Sequence, residues 1–278
     1  MKMTIQNIKD YTVLNNGVHM PWLGLGVFQV EDGDEVINSV QHALEAGYHS
    51  IDTAAGYRNE TGVGTAIKQS GIAREELFIT TKLANSDQGY ESTLRAFEES
   101  RKKLGLEYID LYLIHWPGKT KFVDTWKAFE KLQKDGYIRA IGVSNFNIHH
   151  LETLKQNSDV IPAVNQVEFH PLLNQQELRQ YCKNAGIQLE AWSPIMKGNL
   201  DLPQLTELAE KHGKTPAQIV LRWDLQHGVV TIPKSVHKER IQENANIFDF
   251  TLSDEDMKVI DQMNQNHRFG SDPDEIIF

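Results

Sequence analysis

Residues 103–115 read KLGLEYIDLYLIH. A helical stretch ends at Gly105, a run of apolar residues follows, and the run stops at His115. The same phrase of helix, glycine, short strand and polar residue recurs as EAGYHSID (45–52), QSGIAREELFITTK (69–82), KDGYIRAIGVS (134–144), NAGIQLEAWS (184–193) and QHGVVTIPKS (226–235). Glycine at the turn of each phrase (Gly47, Gly71, Gly105, Gly136, Gly186, Gly228) suits a left-handed helix C-cap. The segments before the glycines carry helical periodicity, as in Val36, Ile37, Val40, Ala43 and Leu44. Those after them are short, apolar and β-branched, as in strands buried on both faces.

Two further strands, WLGLGVF (22–28) and AVNQVEF (163–169), bring the number to eight, alternating with helices. Such alternation implies right-handed βαβ units and a parallel sheet. Eight units in 278 residues predict an α/β chain folded as a closed (β/α)₈ barrel, one domain spanning residues 1–278. An open doubly wound sheet is the rival architecture. The opening YTVLNNGVHMP (11–21) reads as a β-hairpin before the barrel, and TLSDEDMKVIDQM (251–263) as a final helix capped by Ser253.

The chain has 28 basic and 38 acidic residues, a net charge of -10. That argues against a nucleic-acid groove and against binding to anionic membranes. The single cysteine, Cys182, excludes an internal disulfide. No apolar run resembles a signal peptide or a membrane span, so the expected location is cytoplasmic and the Asn59-Glu60-Thr61 sequon carries no weight. A monomer is expected.

In a parallel barrel every strand C-terminus faces one rim, where active sites sit. Here those ends carry Asp52, Lys82, His115, Ser144 with Asn145, Gln166, Trp192 with Ser193, and Lys234. Singly, each has a plain structural explanation: Asp52 as a turn or cap residue, Lys82 as a solvated strand end, His115 as a core histidine, Tyr57 as packing. Together, Asp52, Tyr57, Lys82 and His115 form a proton-donating device. A free tyrosine titrates near about 10, and an adjacent ammonium lowers that value. A carboxylate holds the lysine charged, and a histidine polarises the reacting oxygen.

Motifs for other chemistry fail. Gly24-Leu25-Gly26 and Gly62-Val63-Gly64 lack the third glycine of a dinucleotide loop, and Gly213-Lys214-Thr215 lacks the first glycine of a P-loop. No metal-binding spacing is present, and His149-His150 reads as the start of a solvated helix. In contrast, IPKSVHKERIQEN (232–244) gathers Lys234, Ser235 and Arg240 near a helix N-terminus, a recipe for a phosphate monoester or else a solvated charged turn.

GYHSIDTAAGYRNE, ITTKL, YLIHWP, GVSNF, NQVEFHP and IPKSVHKERIQEN resemble the aldo-keto reductases, over most of the chain. The resemblance is to the small bacterial members that look like glyoxal, methylglyoxal and 2,5-diketogluconate reductases. It implies a (β/α)₈ barrel that reduces carbonyls with NADPH, NADH being less favoured. It places the catalytic Asp, Tyr, Lys and His on Asp52, Tyr57, Lys82 and His115. It implies that Ser144, Asn145 and Gln166 bind the nicotinamide carboxamide and that Trp192 stacks on the ring. Gly26 and Val27 approach the cofactor through backbone, Asp52, Ser193, Pro194, Ile195 and Val236 line its site, and Lys234, Ser235 and Arg240 grip the 2′-phosphate. Glu243 and Asn244 address the adenine. His237 stands where many relatives carry threonine, which leaves the strictness of the NADPH preference open. Phe28, Tyr57, His115 and Trp116 are expected to line a tight aromatic pocket for small aldehydes and dicarbonyls, with Arg268 a candidate cation for a keto-sugar acid. Two other readings stay open: a non-catalytic NADPH-binding regulatory subunit, and an aldolase or isomerase using Lys82 as a Schiff base.

Overall fold

The segment IDLYLI forms the most enclosed strand of the molecule. All six residues of Ile109–Ile114 are buried, because neighbouring strands flank it and helices cover it. The structure, a computed structural model, describes residues 5–119, 121–276 and 278. A hairpin of β1 (Tyr11–Val13) and β2 (His19–Pro21) leads into eight parallel strands. These are β3 (Gly24–Gly26), β4 (Ser50–Asp52), β5 (Phe78–Leu83), β6 (Ile109–Ile114), β7 (Ile138–Ser144), β8 (Val164–Glu168), β9 (Gln188–Trp192) and β10 (Val230–Thr231). They run in chain order around the sheet, and bridges Leu23–Thr231 and Gly26–Lys234 join last to first. The barrel is therefore closed, as the repeat predicts, and the open-sheet alternative falls.

The helices on the outside are α1 (Asp34–Glu45), α2 (Glu60–Ser70), α3 (Tyr90–Leu104), α4 (Phe122–Lys134), α5 (Ile148–Asn157), α6 (Gln176–Ala185), α7 (Pro203–His212), α8 (Pro216–Gln226), α9 (Lys238–Ala245) and α10 (Asp254–Asp261). All six glycines of the repeat adopt positive φ. Ser253 caps α10 by accepting the Asp256 N–H. The glycines that mimic phosphate loops serve packing instead. A Cβ on Gly26 would lie 2.9 Å from the Ile232 carbonyl oxygen, where the barrel closes, and one on Gly64 would meet the Leu104 carbonyl of α3 at 2.3 Å. Gly213 and Thr215 are the C-cap of α7 and the N-cap of α8.

The hairpin lies across the N-terminal mouth. Thr12 donates to Gln188 at the start of β9, and Asn15 and Asn16 donate to the Pro162 and Arg139 carbonyls. Paired residues of adjacent strands share a face. The register thus sets Asp52, Thr80 and Lys82, then Ser144, Gln166 and Glu190, on one face of the sheet. That face is the barrel interior, and its upper end is the C-terminal rim.

Candidate active site

Lys82 is fully buried, and its three N–H groups all have partners. Nζ lies 2.5 Å from Asp52 Oδ1, 3.0 Å from the Thr53 carbonyl and 3.3 Å from the Tyr57 hydroxyl. Asp52 ends β4, and Tyr57 ends a short 3₁₀ turn, Ala55–Tyr57, that follows it. Arg58, in the left-handed region at φ 60°, turns the chain into α2. Buried Asn59 fastens this turn to the neighbouring rim loop by accepting from Thr53 Oγ1 at 2.7 Å and donating to the Val27 and Val30 carbonyls. The sequon residue is thus a structural tie. His115 follows β6, and its ring meets that of Tyr57 edge-on at 5.6 Å. Phe28 lies 5.0 Å from Tyr57 on the other side. The four residues expected to act together come together.

Burial dominates the electrostatics. Desolvation raises the Tyr57 phenol above its ordinary value; Lys82 pulls it down and Asp52 pushes it up again. The expectation that the lysine leaves a lowered pKa is corrected: the loss of water outweighs the ammonium. Burial also raises Asp52, against Lys82 and Gln166. For Lys82, burial disfavours the ammonium, but Asp52 and Tyr57 reverse it and hold its value up. His115 is lowered to about 3 by burial, then by Lys82, so its imidazole is neutral.

Around this centre the rim residues form one hydrogen-bonded set. Gln166 Nε2 donates to Asp52 Oδ2 at 2.7 Å and to Glu190 Oε2 at 2.8 Å. Ser144 Oγ donates to the Gln166 carbonyl. Asn145, at φ 64°, donates to the His115 carbonyl at 2.9 Å and accepts from Trp192 Nε1 at 2.8 Å. Ser193 also has positive φ, at 51°. Left-handed non-glycine residues cluster at functional sites. Pro194 is buried and Ile195 half-buried beside it. Trp116 is half-buried, and its carbonyl accepts from Gln88.

Gly26 bridges to Lys234, so the β10–α9 loop sits against the end of β3 and buried Val27. Lys234 and Arg240 are exposed there, with no hydrogen bond or ion pair among the described residues. Ser235 is buried and accepts from the His237 N–H; Val236 is half-buried, and exposed His237 is the N-cap residue of α9. Further along, Glu243 accepts from Thr215 at 2.9 Å, and Asn244 is buried. Arg268 already faces Asp272 at 3.8 Å. His150 is the N3 residue of a capping box with Asn147, so the His149-His150 pair begins α5, but His150 is buried rather than solvated, and the two imidazoles face Asp274 at 3.2 and 3.8 Å.

Three acids and amides escape sequence reading: Asn59, Glu168 and Glu190. Glu168 holds the C-terminal tail over the rim, accepting from the Phe269 and Gly270 N–H groups at 2.7 and 3.1 Å. The tail packs so closely on Trp192 that a Cβ at Gly270 would lie 2.3 Å from the indole. For Glu190 the available signal was an acid inside a strand buried on both faces, since such a position otherwise favours hydrocarbon.

Comparison with known proteins shows which family the chain resembles. The family model for the aldo/keto reductase family matches residues 22–265. Glyoxal reductase of Bacillus subtilis (strain 168) is 64% identical over 98% of this chain and 99% of its own. Methylglyoxal reductase DkgA of Escherichia coli (strain K12) is 49% identical over 94% of this chain and 96% of its own. A crystal structure of a Gox0644 mutant in complex with NADPH superposes with a TM-score of 0.92 at 44% identity, covering 96% of this chain and 98% of that one. The chain belongs to the aldo/keto reductase family.

Proposed function

We propose that this protein reduces small aldehydes and α-dicarbonyls, glyoxal and methylglyoxal among them, to alcohols with NADPH, and that Tyr57 is the proton donor. The observation that carries the reading is the saturation of Lys82. All three of its N–H groups are committed, one to the Tyr57 oxygen, so the phenol accepts from the lysine and keeps its own O–H for an outside acceptor. Raised by burial, that O–H remains intact at neutral pH. It is a general acid held ready beside a fixed cation.

Bound NADPH supplies hydride to a carbonyl carbon. The residues fit such a cofactor. Lys234 and Arg240 are two unpaired cations where a 2′-phosphate would sit, and Ser235 is beside them. Ser144, Asn145 and Gln166 form one hydrogen-bonded group whose Gln166 Oε1 is left as an acceptor for a carboxamide, and Trp192 offers a flat face for the ring. Glu243 and Asn244 lie along α9 for the adenine. Once the carbonyl oxygen takes up negative charge, Tyr57 gives it a proton. Lys82 stabilises the phenolate that remains, and Asp52 keeps Lys82 charged and in place. Neutral His115 acts as a hydrogen-bond donor to the same oxygen.

The rings of Phe28, Tyr57 and His115 meet at the mouth, with Trp116 following His115, and such an aromatic lining suits a small substrate. The glyoxal and methylglyoxal reductases among the relatives support that size class. A keto-sugar acid fits less well, because Arg268, the candidate cation, already faces Asp272. The test is a panel of carbonyl compounds assayed by loss of NADPH absorbance. Turnover highest with glyoxal or methylglyoxal supports the reading. Tight NADPH retention without turnover on any carbonyl would mark a binding module instead.

A further inference from the structure

Glu190 lies within β9, facing the barrel interior beneath Trp192, and is 1% exposed. Its Oε2 accepts from Gln166; its Oε1 has no partner among the described residues. A buried carboxyl with one idle oxygen burdens the fold, and an apolar side chain of similar volume would fill the place without that cost. Its one connection is informative. A glutamine amide nitrogen carries two N–H groups. In Gln166 both are spent on inward carboxyls, one on Asp52 Oδ2 at 2.7 Å and one on Glu190 Oε2 at 2.8 Å. Gln166 Oε1 has no hydrogen bond among the described residues and lies on the opposite side of the planar amide. A single bond to Asp52 would leave the amide free to pivot; two bonds fix its plane.

We infer that Glu190 is a positioning residue that locks the Gln166 amide, so that Gln166 presents only an acceptor, Oε1, to the carboxamide NH₂ of the nicotinamide. This rests on the NADPH reading above. The site then selects a ring bearing a primary amide over one bearing a group without N–H. Burial and the neighbouring Asp52 charge raise the Glu190 carboxyl to about 8, against Gln166 and Lys82. That shift favours the uncharged carboxyl, whose isosteric replacement is glutamine.

The experiment measures dissociation constants for NADPH and for its reduced 3-acetylpyridine analogue, in which methyl replaces the amide NH₂. Wild type is expected to prefer NADPH. Glu190→Leu and Glu190→Val should shrink that preference by about tenfold, the scale of one hydrogen bond. Glu190→Gln should keep it. Gln166→Leu should remove it, and adding Glu190→Leu should then change nothing. A partly unfolded variant loses both dinucleotides alike, so the ratio reads orientation and not stability. An unchanged ratio in Glu190→Leu or Glu190→Val overturns the inference, as does loss of the preference in Glu190→Gln. Wild type is read first: failure to bind either dinucleotide refutes the proposed function and this inference with it, whereas a normal wild-type preference with insensitive variants refutes the inference alone.

Discussion

The ion pair of Lys82 with Asp52 is the most enclosed pair of charges in the site, with side-chain exposures of 0% and 3%. Removing one partner leaves a buried charge, so Lys82→Met should destabilise the fold by about 3 kcal/mol or more in chemical denaturation. Adding Asp52→Asn should restore part of that loss; if the double variant is less stable than the single, the pair is not what costs. His115 offers a second check. With its value lowered to about 3, the imidazole does not titrate across the range where an ordinary histidine does. The rate of carbonyl reduction should therefore show no limb near pH 6.5 that disappears in His115→Gln. Both residues were legible in sequence because each ends an apolar run with a titratable group, which the core does not need. Glu190 was not, because it lies inside β9 between Leu189 and Ala191, nor was Glu168, which ends β8 but is followed at once by apolar Phe169. Only the three-dimensional partners, Gln166 and the tail amides, show what they hold.

At the scale of elements, the repeat of glycine and β-branched runs was readable because C-cap geometry and two-sided burial restrict residue choice strongly. The eighth strand was harder. Only Val230–Thr231 forms a ladder, since Pro233 lacks an N–H, and closure depends on close backbone approach at Gly26. Gly26→Ala sets a methyl 2.9 Å from a carbonyl oxygen that cannot swing aside, and should cost about 1–3 kcal/mol. Wild-type stability in that variant would mean that the strands have room to part. The loop from β10 to α9 carries the cofactor prediction. Lys234→Ala and Arg240→Ala should each weaken NADPH binding by about tenfold or more while leaving NADH binding within about twofold, measured by titration. Equal losses for both dinucleotides would remove the phosphate from this loop. Helix α7 had no reading in the sequence, because its polar residues outnumber a narrow apolar stripe of Leu205, Leu208 and Ala209.

Across the whole molecule, buried titratable groups bound the pH range of stability from both sides. Glu190 is raised to about 8, and Asp224 is also raised well above the usual carboxylate range by burial. Raised carboxyls contribute stability that is complete below about 4.5 and lost as pH climbs through the raised value. His115, at about 3, and His150, lowered to about 4 by burial, act oppositely. They contribute stability above about 6.5 that is lost as pH falls toward 4 and 3. Thermal stability should therefore pass through a maximum between about pH 5 and 6.5 and decline by pH 8.5; a melting temperature that rises steadily from pH 6.5 to 8.5 would contradict this. No helix among the described residues is long and apolar enough to cross a membrane. Asp52, Tyr57, Lys82 and His115 meet at the C-terminal mouth of the barrel. The most direct measurement is the turnover of Tyr57→Phe with NADPH and glyoxal or methylglyoxal, taken beside its dissociation constant for NADPH. Loss of one hydroxyl should lower kcat by at least about 10²-fold, the scale of general acid catalysis, with cofactor binding held within about twofold. Near-full turnover in Tyr57→Phe would contradict the account at its centre.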